Sequence, residues 1–414
     1  MRTYIRHHFA RIFELSADQN RLLSMEGLRG LAIALVFLVH YQSLFGVYLR
    51  PGTASFRVSD FLHTIGNFGV DLFFILSGYL IYGVALRGRQ SWFSFMRRRI
   101  QRIYPAYLFV LAIYVFISLW LAPGEKIPRE PGAAAIYILQ NILLMPGIFD
   151  LILPIITVAW SLSFELFFYL TIPLVTRGLR MKEWTTGARR RFFLAAGLLV
   201  LPGLSWLYPW SPHPRMVMFI AGILIWEYLR EGKSTPVLPA WGQWAAPLAC
   251  LVVLAPIYWI EMNWADNPAF LPIEPDPSVT IAHTIQIALL CLSFPFLALY
   301  CLGHGGWLAR AFTWTPLRWM GNMSYSYYLI HGLAIGVLQR VVIRLRPPRT
   351  DSELTWFFWL MVPVCFVFTL LVSTVLFVLI EKPFSLSRTG HKTKPQPDQA
   401  SAAGLFQSAG SGQP

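Results

Sequence analysis

Residues 27–48 read Gly-Leu-Arg-Gly-Leu-Ala-Ile-Ala-Leu-Val-Phe-Leu-Val-His-Tyr-Gln-Ser-Leu-Phe-Gly-Val-Tyr. About 20 mostly apolar residues are what a helix needs to cross the hydrocarbon core of a bilayer, and this run has them. Two ionisable groups interrupt it, Arg29 near one end and His40 in the interior. The apolar length argues for a membrane span. The interruptions argue that the span does more than anchor the chain, because a charge at such depth is costly unless it faces a cavity or a partner.

The same length criterion picks out nine further runs, near 64–86, 105–122, 155–176, 192–209, 214–229, 243–261, 280–302, 320–343 and 355–380. The expected fold is therefore all-α, a polytopic membrane helix bundle of about ten transmembrane helices. A further apolar stretch, Ala133 to Ile148, is short and bounded by Pro131 and Pro146, which suits a re-entrant or interfacial segment. Composition agrees: the 414 residues are 56% hydrophobic and 13% charged, against a charged share of about 25% in soluble domains.

The basic excess, 34 Lys+Arg against 20 Asp+Glu, could point to nucleic acid, but the basic residues cluster at the ends of apolar runs. There they mark topology, since loops on the cytoplasmic side are enriched in Lys and Arg. Arg2, Arg6, Arg11 and Arg21 place the N-terminus inside. Arg87 to Arg102, Arg177 to Arg191, Arg230 with Lys233, and Arg310 with Arg318 mark further inner segments. Asp266, Glu274 and Asp276 lie in an outer loop, and Lys382 to Lys394 return inside. Arg344, Arg346 and Arg349 run against the pattern, partly offset by Asp351 and Glu353. The expectation is a multi-pass inner-membrane protein with both termini cytoplasmic and no nucleic-acid partner. Its parts are a basic N-terminal segment (1–24), a membrane domain (25–384) and a disordered tail (385–414) too polar to bury a core. The N-terminus lacks the apolar stretch of a cleaved signal. No soluble catalytic domain and no internal repeat is expected. Cys250, Cys291, Cys301 and Cys365 sit in apolar runs without metal-ligand spacing and read as core residues, so no metal is expected.

Arg29 and His40 are eleven residues apart, which puts them on one helix face about 16 Å apart along the axis. Asp71 falls in the outer half of the second span, Glu165 about ten residues into the fourth, and His331 at mid-depth in the ninth. Ser161 and Glu165, four apart, share a face. His40, Asp71, Glu165 and His331 thus fall at similar depths, and one polar cavity holding a general base or a proton relay accounts for all four. Arg98, Arg99 and Arg102 admit two readings. They are positive-inside loop charge, or a cluster of forked guanidinium donors suited to a polyphosphate, with Pro105 opening the next span.

Together these motifs resemble those of the membrane-bound acyltransferase 3 family, from about Met25 to Phe384. They are Arg29 to His40, Gly69 to Tyr79 with Phe73, Phe74, Ser77 and Gly78, Arg98-Arg99-Ile-Gln-Arg102-Ile-Tyr-Pro105, Trp160 to Glu165, Gly321 to His331, and Glu381-Lys-Pro383. The resemblance implies transfer of an acyl group, most often acetyl from acetyl-CoA as donor substrate, to a hydroxyl of a sugar or glycan. It implies that Arg98, Arg99 and Arg102 hold the CoA phosphates, with Arg29 on the CoA path. His40 would be the general base, with Asp71 or Glu165 orienting it. Ser77, Trp160, Ser161, Tyr325 and His331 would lie on the substrate side. Ser77 is also a conceivable acyl relay, though a Ser-Gly pair in a membrane helix more often permits close packing. The competing class is a proton-coupled transporter or exporter, which the buried carboxylates and histidines also suit. Against it stand the missing paired repeats and a basic cluster beside, rather than across, the pathway.

Overall fold

The structure is a computed structural model, described for residues 10, 12–14 and 22–386 apart from 89, 121–125, 209–210, 230–237, 265–276, 304 and 346–350. Most of the basic N-terminal segment, the acidic residues Asp266, Glu274 and Asp276, the Arg230 and Lys233 pair, Arg346, Arg349 and the tail from 387 lie outside the described residues. Among the described residues the chain is helical without strands, with one isolated bridge between Pro146 and Phe149.

Among the described residues, nine helical segments are long and apolar enough to cross a membrane. The first is α1 (Leu23–Phe45), which holds Arg29 and His40. Helices α2 (Ala54–Asn67) and α3 (Gly69–Arg87) follow as one interrupted rod. Then come α4 (Trp92–Trp120), the short α5 (Pro131–Ile142), α6 (Ala159–Gly178), α7 (Thr186–Leu207) and α8 (Val217–Leu229). The chain continues through α9 (Gly242–Trp264), α10 (Pro277–Gly303), two short helices α11 (Trp307–Phe312) and α12 (Thr315–Asn322), α13 (Ser324–Leu345) and α14 (Asp351–Leu376). A π-helical segment, Phe377–Leu386, prolongs α14.

The α2–α3 rod is central, with 78% of its apolar window buried, whereas α7 and α9 bury 11% each and turn Leu198, Leu199, Leu251 and Trp259 outward. In a bilayer such exposed apolar faces are covered by lipid tails. Small residues set several close crossings, α3 on α8 among them. A Cβ added to Gly78 would lie 2.1 Å from the Phe219 carbonyl oxygen, and one added to Gly222 would lie 2.0 Å from that of Ile75. Close backbone approach of this kind is what small residues permit between membrane helices. Buried ion pairs pin other contacts. Glu227, 1% exposed, pairs with Arg189 at 2.5 Å and accepts a hydrogen bond from Tyr82, tying α8 to α7 and α3. Glu26 pairs with Arg318 at 3.1 Å, tying α1 to α12.

Two features differ from expectation. Helix α4 starts at Trp92, thirteen residues before Pro105. The basic segment is therefore helix rather than loop, and Pro105 lies inside the helix instead of opening it. Phe95 and Met96, both buried, give that extra stretch an apolar face to pack. Helix α8 has 13 residues and falls short of the span criterion. The 3-10 turn His213–Met216 leads directly into it, and together they reach roughly 28 Å, near the hydrocarbon thickness. With α8 counted, the spans number ten. Helix α5, at 12 residues, is only about 18 Å long and does not cross, in keeping with the short apolar stretch expected there.

If α8 crosses, Glu183→Cys and Ala240→Cys label from the same side of sealed vesicles with a membrane-impermeant maleimide. Labelling from opposite sides would remove α8 from the set of spans.

Candidate active site

Two groups of side chains stand out, one toward the arginine-rich end of the bundle and one deeper. At the arginine end, α1, α4, α6, α13 and the π segment converge. Arg29 Nε donates to Ser324 Oγ at 3.1 Å. Arg102 pairs with Glu381 at 2.8 Å, and Glu381, wholly buried, also accepts from the Ser326 amide and hydroxyl at 3.0 and 2.5 Å. The wide turn of the π segment carries Glu381 into this contact, and such segments are often found at functional sites. Arg99 has no carboxylate partner among the described residues. Its guanidinium lies 5.4 Å from the Phe95 ring and 6.0 Å from that of Tyr169, and its buried Nε makes no hydrogen bond. Tyr325, whose ring lies 5.9 Å from the Arg102 guanidinium, donates to the Ile103 carbonyl at 2.6 Å.

Glu165 borders this group. It accepts from Ser77 at 2.8 Å and from Tyr169 at 3.1 Å, facing the positive charges of Arg29 and Arg99. Ser77 is thus a carboxylate's hydrogen-bond donor, while its neighbour Gly78 makes the helix contact.

Deeper in the bundle, the rings of His40 and His331 lie 4.9 Å apart, tilted by 56°. His331 is wholly buried, and its Nδ1 lies 2.9 Å from the Tyr327 carbonyl. A carbonyl only accepts, so Nδ1 carries the proton and Nε2 keeps a lone pair. That Nε2 has no partner. The ring stacks on Tyr327 at 5.3 Å, and Tyr327 in turn bonds Thr369 at 3.0 Å, which fixes the imidazole plane. Tyr328, one position on, bonds Ser161 at 2.7 Å. Trp160 packs edge-on against Phe74 and Phe164.

The structure therefore brings His40 to His331, and Ser161 to Tyr328, but it does not assemble four ionisable groups in one chamber. Asp71 lies 3.5 Å from Arg215, which also donates to the Asn67 carbonyl at 3.0 Å. Neither Asp71 nor Glu165 hydrogen-bonds His40. The reason is helix geometry. Asp71 and Ser77 are six residues apart on α3, roughly 120° around the helix, so when Ser77 faces Glu165, Asp71 faces elsewhere. The arginines divide in the same way, with Arg99 and Arg102 turned inward and Arg98 exposed. Arg215, Tyr169 and Tyr328 were not singled out from the sequence. Arg215 opens an apolar run, where the rule that flagged Asp71 applies equally; Tyr169 is one turn from Glu165. Among the described residues no cluster of His, Cys, Asp and Glu is arranged to hold a metal.

A family model described as an acyltransferase domain, Acyl_transf_3, matches residues 22–378. The chain is 28% identical to the acyltransferase MdmB of Streptomyces mycarofaciens, over 76% of this chain and 79% of that protein. It is 26% identical to the exopolysaccharide production protein ExoZ of Rhizobium meliloti, over 69% and 83%. It is 25% identical to the peptidoglycan O-acetyltransferase OatA of Listeria monocytogenes, over 74% of this chain and 48% of that protein. No solved structure matches the chain.

Removing one partner of a buried ion pair costs about 3–5 kcal/mol, whereas replacing both with apolar residues is often neutral. Arg102→Met alone is expected to lower the melting temperature of the purified protein in detergent, and Arg102→Met with Glu381→Leu to restore much of the loss. Equal losses in single and double variants would show that the pair carries no such coupling.

Proposed function

The chain belongs to the acyltransferase 3 family and is a membrane O-acyltransferase; on that premise we propose that it moves an acyl group, most simply acetyl, from acyl-CoA on the cytoplasmic side to a hydroxyl of a sugar or glycan. The observation that carries this reading is the arrangement along one helix. Arg29 and His40 sit on one face of α1, about 16 Å apart, with inward-turned Arg99 and Arg102 near the first and the His331 ring 4.9 Å from the second. One end suits a polyanion, the other a proton transfer, and a thioester on an extended arm links them.

In this reading Arg99 and Arg29 take the CoA phosphates. Arg99 contributes most, because its guanidinium has no carboxylate partner to satisfy it; Arg102, already engaged by Glu381, holds the site's shape. The inner-membrane location with both termini cytoplasmic follows from the basic clusters. The acceptor hydroxyl attacks the thioester carbonyl carbon as His40 takes its proton. The tetrahedral intermediate collapses, the C–S bond breaks, and the proton leaves on the CoA thiol. A histidine suits this work because a neutral imidazole nitrogen accepts a proton and the imidazolium gives it back. With its Nδ1 proton held by the Tyr327 carbonyl, His331 offers its Nε2 lone pair to an N–H of His40, directly or through water, and so sets the His40 tautomer. Glu165, tied to Ser77 and Tyr169, screens the arginines and holds the two halves of the cavity together. Relatives named for exopolysaccharide production and for peptidoglycan O-acetylation support a glycan hydroxyl as the acceptor class.

Three outcomes test this. Acetyl-CoA raises the melting temperature of the purified protein, as a ligand that binds only the native state must; no shift with CoA or acetyl-CoA would remove the donor assignment. Arg99→Gln weakens that shift by about tenfold or more in CoA concentration, since a charge-assisted hydrogen bond contributes about 1.5–3 kcal/mol. His40→Ala lowers acyl transfer by roughly 10²–10⁴-fold while keeping the melting shift. Retained transfer in His40→Ala together with loss in His331→Gln would move the base role to His331.

A further inference from the structure

At the end of the bundle opposite the arginines, where α3 and α6 begin, lies an open cavity of about 390 Å³. That is within the ~300–1,000 Å³ range of small-molecule sites. Its lining includes Asn67, Asp150, Trp160, Ser211, Arg215 and His283. None of these takes part in the acyl-transfer chemistry above.

Its walls are built rather than incidental. Gly147 takes φ +89°, and a Cβ there would lie 2.6 Å from the Trp160 carbonyl oxygen. A side chain at 147 would therefore be both strained and in collision. The irregular turn after α5 thus lies directly on Trp160 and helps form the cavity around it. Ser211 donates to Asp150 at 2.8 Å and hydrogen-bonds His213, which stacks on Tyr208 with ring centres 4.0 Å apart. Arg215, nine-tenths buried, is fixed by the Asn67 carbonyl and by Asp71, whose oxygens accept no hydrogen bond.

Arg215 is matched from within the protein by Asp71 at 3.5 Å, and Asp150 accepts a hydrogen bond from Ser211 at 2.8 Å. Among the described residues of the lining Arg215 is the only Lys or Arg, so they offer an anionic ligand no unpaired Lys or Arg. What the cavity offers is an aromatic side chain beside a ring of hydrogen-bond donors and acceptors. That combination fits a sugar ring, which has an apolar C–H face and a rim of hydroxyls that both donate and accept. Packed side chains connect the cavity wall to the histidines. Trp160 is followed by Ser161, which bonds Tyr328, and the Tyr328 ring lies 6.1 Å from that of His331.

We propose that this cavity is the acceptor subsite and that it takes an uncharged sugar ring, packed on Trp160, with its hydroxyls shared among Asp150, Ser211 and Arg215. The assignment rests on the acyl-transfer reading for its role and on the cavity alone for its ligand. A uronic acid or a phosphorylated sugar is disfavoured, because its charge would compete with Asp71 for Arg215 and lie beside the Asp150 carboxylate.

The test uses the full chain in lipid nanodiscs and photoreactive diazirine derivatives of methyl glucoside, methyl galactoside and methyl mannoside, with the corresponding glucuronide as the charged probe. At least one neutral probe is expected to label peptides containing residues 147–154, Trp160 or 211–215, with labelling competed by the parent neutral glycoside and not by the glucuronide. Trp160→Phe and Ser211→Ala are expected to raise the acceptor KM about tenfold, equivalent to about 1.4 kcal/mol, with kcat nearly unchanged, as expected for lost uniform binding. Labelling of the unsubstituted protein requires no variant to fold. No adduct in these segments from any neutral probe, or preferential labelling by the glucuronide, overturns the proposal. Adducts here combined with no acetyl-CoA-dependent transfer would uphold the sugar site and sink the acyl-transfer reading instead.

Discussion

A charge carried into hydrocarbon must meet a counter-charge, a hydrogen-bonding partner or water, and most of this bundle is arranged around that requirement. Glu227 with Arg189, Glu26 with Arg318, Glu381 with Arg102 and Asp71 with Arg215 each join separate helical segments. Buried pairs of this kind contribute little net stability, because desolvation offsets much of their attraction. Their effect is on specificity. A helix rotated by one residue would strand a carboxylate in an apolar layer, so each pair fixes the rotation of its helices. Once rotation is fixed, the close seam of Gly78 and Gly222 can form, and the remaining polar groups acquire definite positions.

Among the described residues, Arg99 lies against aromatic rings with no ion pair and a buried Nε that makes no hydrogen bond, and the buried His331 Nε2 has no hydrogen-bond partner. Leaving a buried polar atom unsatisfied costs roughly 1–3 kcal/mol, a cost that a ligand or a reaction partner relieves on binding. Glu165 joins α3 to α6 through its bond to Ser77, and Tyr169, one turn further along α6, donates to the same carboxylate.

The helical architecture was legible because apolar run length is a local property. A window of about 20 residues needs no partner to be recognised, and the short α5 was set apart by the same arithmetic. The boundary of α4 was misread because Pro105 resembled a helix start. Its true start depends on buried Phe95 and Met96, which is a packing fact. The span count was near its limit at α8, whose 13 residues cross only with the help of a 3-10 turn that no periodicity announces.

For the site, the sequence by itself determined which residues are chemically unusual: Arg29 and His40 on one face, the cluster of Arg98, Arg99 and Arg102, Glu165 and His331 at depth. The motifs that carry the family resemblance lie among the same residues. Only the tertiary structure decided how they pair. Depth along a helix follows from counting residues, but the direction a side chain takes toward its neighbours depends on how each helix is rotated and which helices adjoin it. Asp71 and Glu165, similar in depth, therefore part company, one to Arg215 and the other to Ser77 and Tyr169. His40 meets a second imidazole instead of a carboxylate, because α1 and α13 turn their histidines toward each other.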